Sequence, residues 1–204
     1  MALVSSAPVM ADSSNWKLGY YTPSAVGTLS FSQATDPSLG VASFDFTNQS
    51  NTALLVTTHG AYKGSTLGDL RNATITAKFH ISDANSAFTY FGEGTPSNPC
   101  GTPASTRLFF QTDNGGGFQF THYWWSNPES AVLSNGTFTL TATVAPAEWS
   151  DWDGQNGAAR PAGFADAASN VTTIGLSFGG GCFFENGVGT DGSGTFTLDN
   201  FNVS

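Results

Sequence analysis

The sequence predicts an all-β chain folded as a two-sheet jelly-roll β-sandwich with one short helix. Three observations carry that prediction. Apolar and polar residues alternate with period two in many separate segments, which is the signature of half-buried strands. Only one stretch has helical character. No fixed-period repeat and no linker-like break divides the 204 residues, and sandwiches of roughly 200–250 residues commonly form one domain. Residues 12–204 are therefore expected to be one domain, with residues 1–11, ending Pro8-Val9-Met10-Ala11, a leader remnant or an artificial start.

In chain order, strands are expected at 28–33, 40–46, 52–58 and 73–81. The last is the clearest: Ala73, Ile75, Ala77, Phe79 and Ile81 share one face, and Thr74, Thr76, Lys78 and His80 the other. Further strands are expected at 88–92, 107–112 and 118–125. The segment 137–144 repeats the clear pattern, with Phe138, Leu140, Ala142 and Val144 inward against four threonines. Pro161 through Ala168 is the helix, with a proline suited to the first turn and four alanines. Ile174, Leu176 and Phe178 form another inward row. In the last strand, 194–203, Phe196 and Leu198 alternate in one phase and Phe201 and Val203 in the other. A β-bulge at Asp199-Asn200 would let all four face the core.

Composition narrows the function. Apolar residues make up 39% with 17 Phe, enough for a core. Charged residues are only 10%, against roughly 25% in ordinary soluble domains. With six Lys plus Arg and a net charge of −9, the surface repels phosphate backbones and anionic headgroups. Nucleic acid and membrane partners are thereby disfavoured, and no apolar run is long enough to insert into a membrane. Neutral glycans or divalent cations fit better. Cys100 and Cys182, both in Gly-rich settings, are expected to form one disulfide in an oxidising compartment; two unpaired thiols are the alternative. An extracellular or cell-surface location follows from the disulfide reading.

Two constellations carry chemistry. Thr121-His122-Tyr123-Trp124-Trp125 places His122 and Trp124 on one strand face and Tyr123 and Trp125 on the other. One face can be core, leaving the other as an aromatic platform for the apolar C–H faces of sugars. Tyr123, Trp124, Trp125 and Trp152 are the candidate glycan contacts; in the plainer reading the tryptophans are core and edge cover. Glu148-Trp149-Ser150-Asp151-Trp152-Asp153-Gly154-Gln155-Asn156 could wrap a hard cation through Asp151 and Asp153. Gln155 and Asn156 depart from an EF-hand loop, and the other reading is an acidic turn with Trp149 packed inward.

A third arrangement is enzymatic. Arg107, Gln111, His122 and Tyr123 on neighbouring strands resemble the equipment of jelly-roll polysaccharide lyases, in which Arg or Gln neutralises a uronate and His or Tyr moves the proton. The net charge opposes such an anionic substrate. No nucleophile elbow, HExxH, P-loop or dinucleotide fingerprint is present.

The segments 138–144, 149–152, the helix with Phe164 and Ala165, 170–176 and 196–203 follow one another in an order that resembles the galactose-binding-like jelly-roll superfamily. That superfamily includes laminin domain IV-type modules and many carbohydrate-binding modules of secreted bacterial enzymes. The resemblance covers about residues 130–204. It implies a non-catalytic glycan-binding domain with a structural Ca2+ held in part by the last strand, where Asp199 matches the position. A structural or adhesive surface protein is the competing expectation.

Overall fold

The computed structural model describes residues 16–21, 29–32, 42–46, 48, 52–58, 67–90, 92–93, 102–113, 118–181 and 184–204. Within them the chain is a two-sheet jelly-roll β-sandwich with one helix, as the alternation predicts. The expected leader remnant at 1–11 and both cysteines, Cys100 and Cys182, lie outside the described residues. Chain close to each cysteine does meet, since the Gly181 N–H donates to Thr102 Oγ1 at 2.7 Å.

The smaller sheet has the order β10 (Gly136–Thr143), β5 (Thr74–Ser82), β14 (Thr195–Val203), β3 (Ser43–Asp45). Its inner face carries Ile75, Ala77, Phe79, Ile81, Leu140 and Ala142, all buried. Its outer face is a field of threonines, residues that tolerate strand geometry and water together. Phe138 is only half-buried and stacks on Phe79 at 5.2 Å. The register of β14 against β5 shifts between Leu198 and Asn200, so the expected bulge is present. It turns Phe196, Leu198, Phe201 and Val203 all into the core.

The larger sheet runs β11 (Trp149–Asp151), β8 (Tyr123–Ser126), β7 (Ser105–Thr112), β12 (Val171–Gly179), β4 (Thr52–Thr57), β1 (Lys17–Tyr21), β2 (Leu29–Ser32). Short strands β6 (Phe88–Tyr90), β9 (Ala131–Val132) and β13 (Val188–Thr190) pair beside it. Phe44, Phe46, Phe79, Phe178 and Phe196 fill the space between the sheets, with Phe79–Phe196 and Phe44–Phe196 stacked at 5.0 Å each. The helix α1 (Pro161–Ser169) closes one end. Its Phe164 meets Trp124 edge-on at 5.0 Å.

Central strands of this sheet are buried on both faces, which period-two reasoning did not anticipate. All six residues of β4 are buried, and so are residues 174–179 of β12. The cause is a second apolar cluster on the outer face, made of Ala53, Leu54, Val56, Phe109, Trp125 and Phe184. Gly175 lies between Phe109 and Val56 in the register. A Cβ there would sit 2.8 Å from Val56 Cα, against backbone that cannot yield cheaply. Gly175→Ala is therefore expected to destabilise by about 1–3 kcal/mol, the usual penalty of overpacking. Thermal melting of the variant checks this, and an unchanged midpoint would contradict it.

Candidate functional site

Pairing of β7 with β8 sets Phe109 opposite Trp125, Phe110 opposite Trp124 and Gln111 opposite Tyr123. Strand alternation then divides them. Phe110 and Trp124 face the core, while Phe109, Gln111, Tyr123 and Trp125 face outward. β11 adds an edge strand with Ser150 opposite Trp125. Beyond it the chain tips outward and presents Trp152 beside Trp125 at 5.7 Å and Tyr123 at 5.6 Å.

Residues 118–125 do not form one continuous strand, as their composition suggested. Phe120–His122 makes a 3-10 turn, and the strand begins only at Tyr123. That turn breaks the alternation and brings two more aromatics to the same place. Phe118 stacks on Tyr123 at 5.5 Å and meets Trp152 edge-on at 5.2 Å. Phe120 meets Phe118 edge-on at 5.6 Å. The Trp152 N–H donates to Phe120 O at 3.4 Å, tying the two segments together. The helix holds the turn from behind: a Cβ at Gly163 would lie 2.6 Å from the Thr121 side chain, so only glycine admits this approach.

The result is an aromatic patch in two layers. Trp125 and Phe109 form the floor, 5.3 Å apart and buried. Phe118, Phe120 and Trp152 form the rim at 57%, 44% and 37% exposure, with half-buried Tyr123 between them. The indole N–H of Trp125 has no hydrogen-bond partner among the described residues. Gln111 stands beside Tyr123 in the register. The Tyr123 hydroxyl is held above its ordinary pKa by burial and then by the nearby charge of Asp113.

Of the four tryptophan and tyrosine contacts expected from sequence, Tyr123, Trp125 and Trp152 converge here. Trp124 does not: it is fully buried in the core, with its indole N–H donating to Thr121 O at 2.8 Å. Trp125 belongs to the site as floor and not as an exposed platform. Phe118 and Phe120 are the members of the patch that sequence reasoning missed. A Phe-x-Phe ahead of three consecutive aromatics was the available signal.

The set Arg107, Gln111, His122 and Tyr123 is not assembled as a solvent-facing group. Arg107 is buried and its guanidinium donates to Ser126 O at 2.8 Å and Glu129 O at 3.3 Å, beneath the Phe184 ring at 4.2 Å. Burial lowers its pKa to about 10, with Glu129 opposing the shift. His122 is buried at the end of its turn. Arg107 thus serves as a structural tie to the 126–129 loop.

The carboxylates expected to hold calcium are also separated and matched otherwise. Asp199 lies on the smaller sheet with its Oδ1 2.8 Å from His80 Nδ1. Asp151 is fully buried; its Oδ1 accepts the N–H groups of Asp153 at 3.1 Å and Gln155 at 2.9 Å, and its Oδ2 pairs with Arg160 Nε at 3.1 Å. Asp153 Oδ2 pairs with the same guanidinium at 2.7 Å. A guanidinium stands where a cation was expected, so this donor set does not fit Ca2+. Among the described residues no three His, Cys, Asp or Glu side chains cluster as metal ligands. Trp149 is packed inward, its indole N–H donating to Thr143 O at 2.7 Å, as the acidic-turn reading expected.

One carboxyl group stands apart. Burial pushes the Glu185 carboxyl up to about 7, partly offset by a backbone hydrogen bond. A carboxyl whose folded pKa lies above its unfolded value binds more protons when folded. Stability then falls as pH rises between the two values. The melting temperature is expected to drop from pH 5 to pH 8 by more in the wild type than in Glu185→Gln. Equal drops would contradict the assignment.

Fold and site together define a β-sandwich with a layered aromatic patch on one edge of its larger sheet. No family model matches the chain, and no curated protein matches it. Among solved structures a xylan-binding module, CBM15, is similar at 16% identity and a TM-score of 0.44, over 94% of this chain and 96% of that one. Likeness at that level carries no functional argument. The membership implied by the C-terminal half accordingly stands as a resemblance. No helix among the described residues is long and apolar enough to cross a membrane.

Proposed function

We propose that this chain is an extracellular, non-catalytic glycan-binding domain that takes an uncharged polysaccharide on the patch of Phe118, Phe120, Tyr123 and Trp152. The observation that carries the reading is the placement of exposed apolar side chains. Among the described residues the large exposed ones are Phe118, Phe120, Trp152 and Val132, and three of these four touch one another. Scattered exposed apolar residues need no explanation, but a contiguous group marks a contact surface. Aromatic rings offer flat faces to the C–H faces of pyranose rings at low entropic cost. Gln111, beside Tyr123 in the register, and Asp113, whose charge acts on the Tyr123 hydroxyl, are the polar groups next to the rings that would meet sugar hydroxyls.

Charge supports a neutral ligand. Arg160 is committed to Asp151 and Asp153, and Arg107 is buried. Among the described residues the patch therefore offers no free cation to a uronate or sulfate, and a net charge of −9 opposes one. Affinity electrophoresis in gels holding neutral or acidic polysaccharides tests the reading. Retardation by at least one neutral polymer, and by no acidic one, is expected.

A protein–protein contact is the second reading, favoured by the greater exposure of Phe118 and Phe120 over Trp152. Concentration-dependent self-association, abolished by Phe118→Ser, with no retardation by any polysaccharide would establish it instead.

A further inference from the structure

We infer that Arg160, with Asp151 and Asp153, is the positioning element of the aromatic site: it locks the hairpin tip that presents Trp152. This inference rests on the glycan reading above. Trp152 sits between the two aspartates, at the tip formed where β11 turns back through Gly154, which has a φ of +71°. Backbone bonds close the hairpin below it, from Asp151 N–H to Gln155 O at 2.9 Å and from Gly157 N–H to Trp149 O at 2.9 Å. The Asp151 carboxylate reaches across the tip to two N–H groups on its Oδ1.

What these bonds leave open is the direction in which the tip leans; the long Trp152 N–H bond to Phe120 O at 3.4 Å holds one side of it, and Arg160 holds the other. The residue caps the start of α1, and its C=O accepts the Phe164 N–H at 3.0 Å. Phe164 is itself anchored against Trp124 and Phe110 in the core. The guanidinium therefore extends from a fixed backbone position and holds the residues on both sides of Trp152, Asp151 at 3.1 Å and Asp153 at 2.7 Å. The Asp151 side chain is fully buried and Arg160 is 34% exposed, so this pair is screened less by water and salt than an open surface pair. A surface ion pair of ordinary exposure would be worth little. Here one guanidinium makes a charge-assisted hydrogen bond to Asp153 and an ion pair with Asp151, on the two sides of a single exposed indole, which fixes geometry as well as energy.

The test uses Arg160→Ala, Arg160→Lys and the half-exposed Asp153→Asn, with Trp152→Ala as reference. Each is read by affinity electrophoresis against the retained polysaccharide and by the exciton circular-dichroism couplet expected of the Trp125–Trp152 pair. Arg160→Ala is expected to weaken binding roughly tenfold and to shift the couplet toward that of Trp152→Ala, since small misplacement of a positioned group is costly. Arg160→Lys and Asp153→Asn should fall between, and both keep the test open if Arg160→Ala does not fold. Arg160 and Asp153 variants that bind and give the couplet like wild type, while Trp152→Ala loses binding, would overturn the clamp alone. Trp152→Ala that binds like wild type would overturn the glycan reading and the clamp with it.

Discussion

Trp152→Ala is expected to weaken binding of neutral polysaccharide ten- to a hundredfold, about 1.4–2.7 kcal/mol, while leaving the fold intact. The indole is the largest exposed group of the rim, and it contacts Phe118, Tyr123 and Trp125 at 5.2, 5.6 and 5.7 Å. Removing it takes away the stacking surface and part of the cover over the floor. Because the side chain is 37% exposed, little core packing goes with it. A melting midpoint within a few degrees of wild type is expected alongside the lost affinity. Isothermal titration and thermal melting of the same sample measure both quantities. A large loss of stability with unchanged affinity would mean that Trp152 is only a lid on the second cluster.

The opposite pattern is expected one residue from the site's floor. Trp124→Ala should destabilise by about 3–5 kcal/mol, the usual loss for truncating a buried tryptophan. For a chain of this size each kcal/mol moves the midpoint by roughly 2–4 °C, so a drop on the order of 10 °C follows. Trp124 is fully buried against Phe164, and its indole N–H bond to Thr121 O would be lost as well. Below the lowered midpoint the variant should still bind, since the rim does not touch this side chain. Loss of binding at wild-type stability would show that Trp124 reaches the ligand, against its placement in the core.

Trp124 and Trp125 are neighbours of the same type, and alternation alone separates their faces. That alternation also made the sandwich and the bulge at Asp199 legible, and the proline and alanines of 161–168 did the same for the helix, because each is a local pattern. What lies beyond local pattern was not legible. The strand pairing that buries Phe109 and Trp125 from outside depends on Leu54 and Val56, far away in sequence. A 3-10 turn at Phe120–His122 replaces the first half of an expected strand, since its composition suits either conformation. Arg160 neutralises Asp151 and Asp153 across a hairpin and a helix start, a contact that only the tertiary fold creates. The carboxylates therefore suggested a cation, and the protein supplied its own.

The most direct test of the glycan-binding patch is the retardation of wild type and of the Phe118→Ala/Trp152→Ala double variant in gels containing neutral polysaccharides. Wild type held back by at least one polymer, with the double variant migrating as in a polymer-free gel, is the predicted result. Equal retardation of the two proteins, or free migration of both across the whole panel, would contradict it.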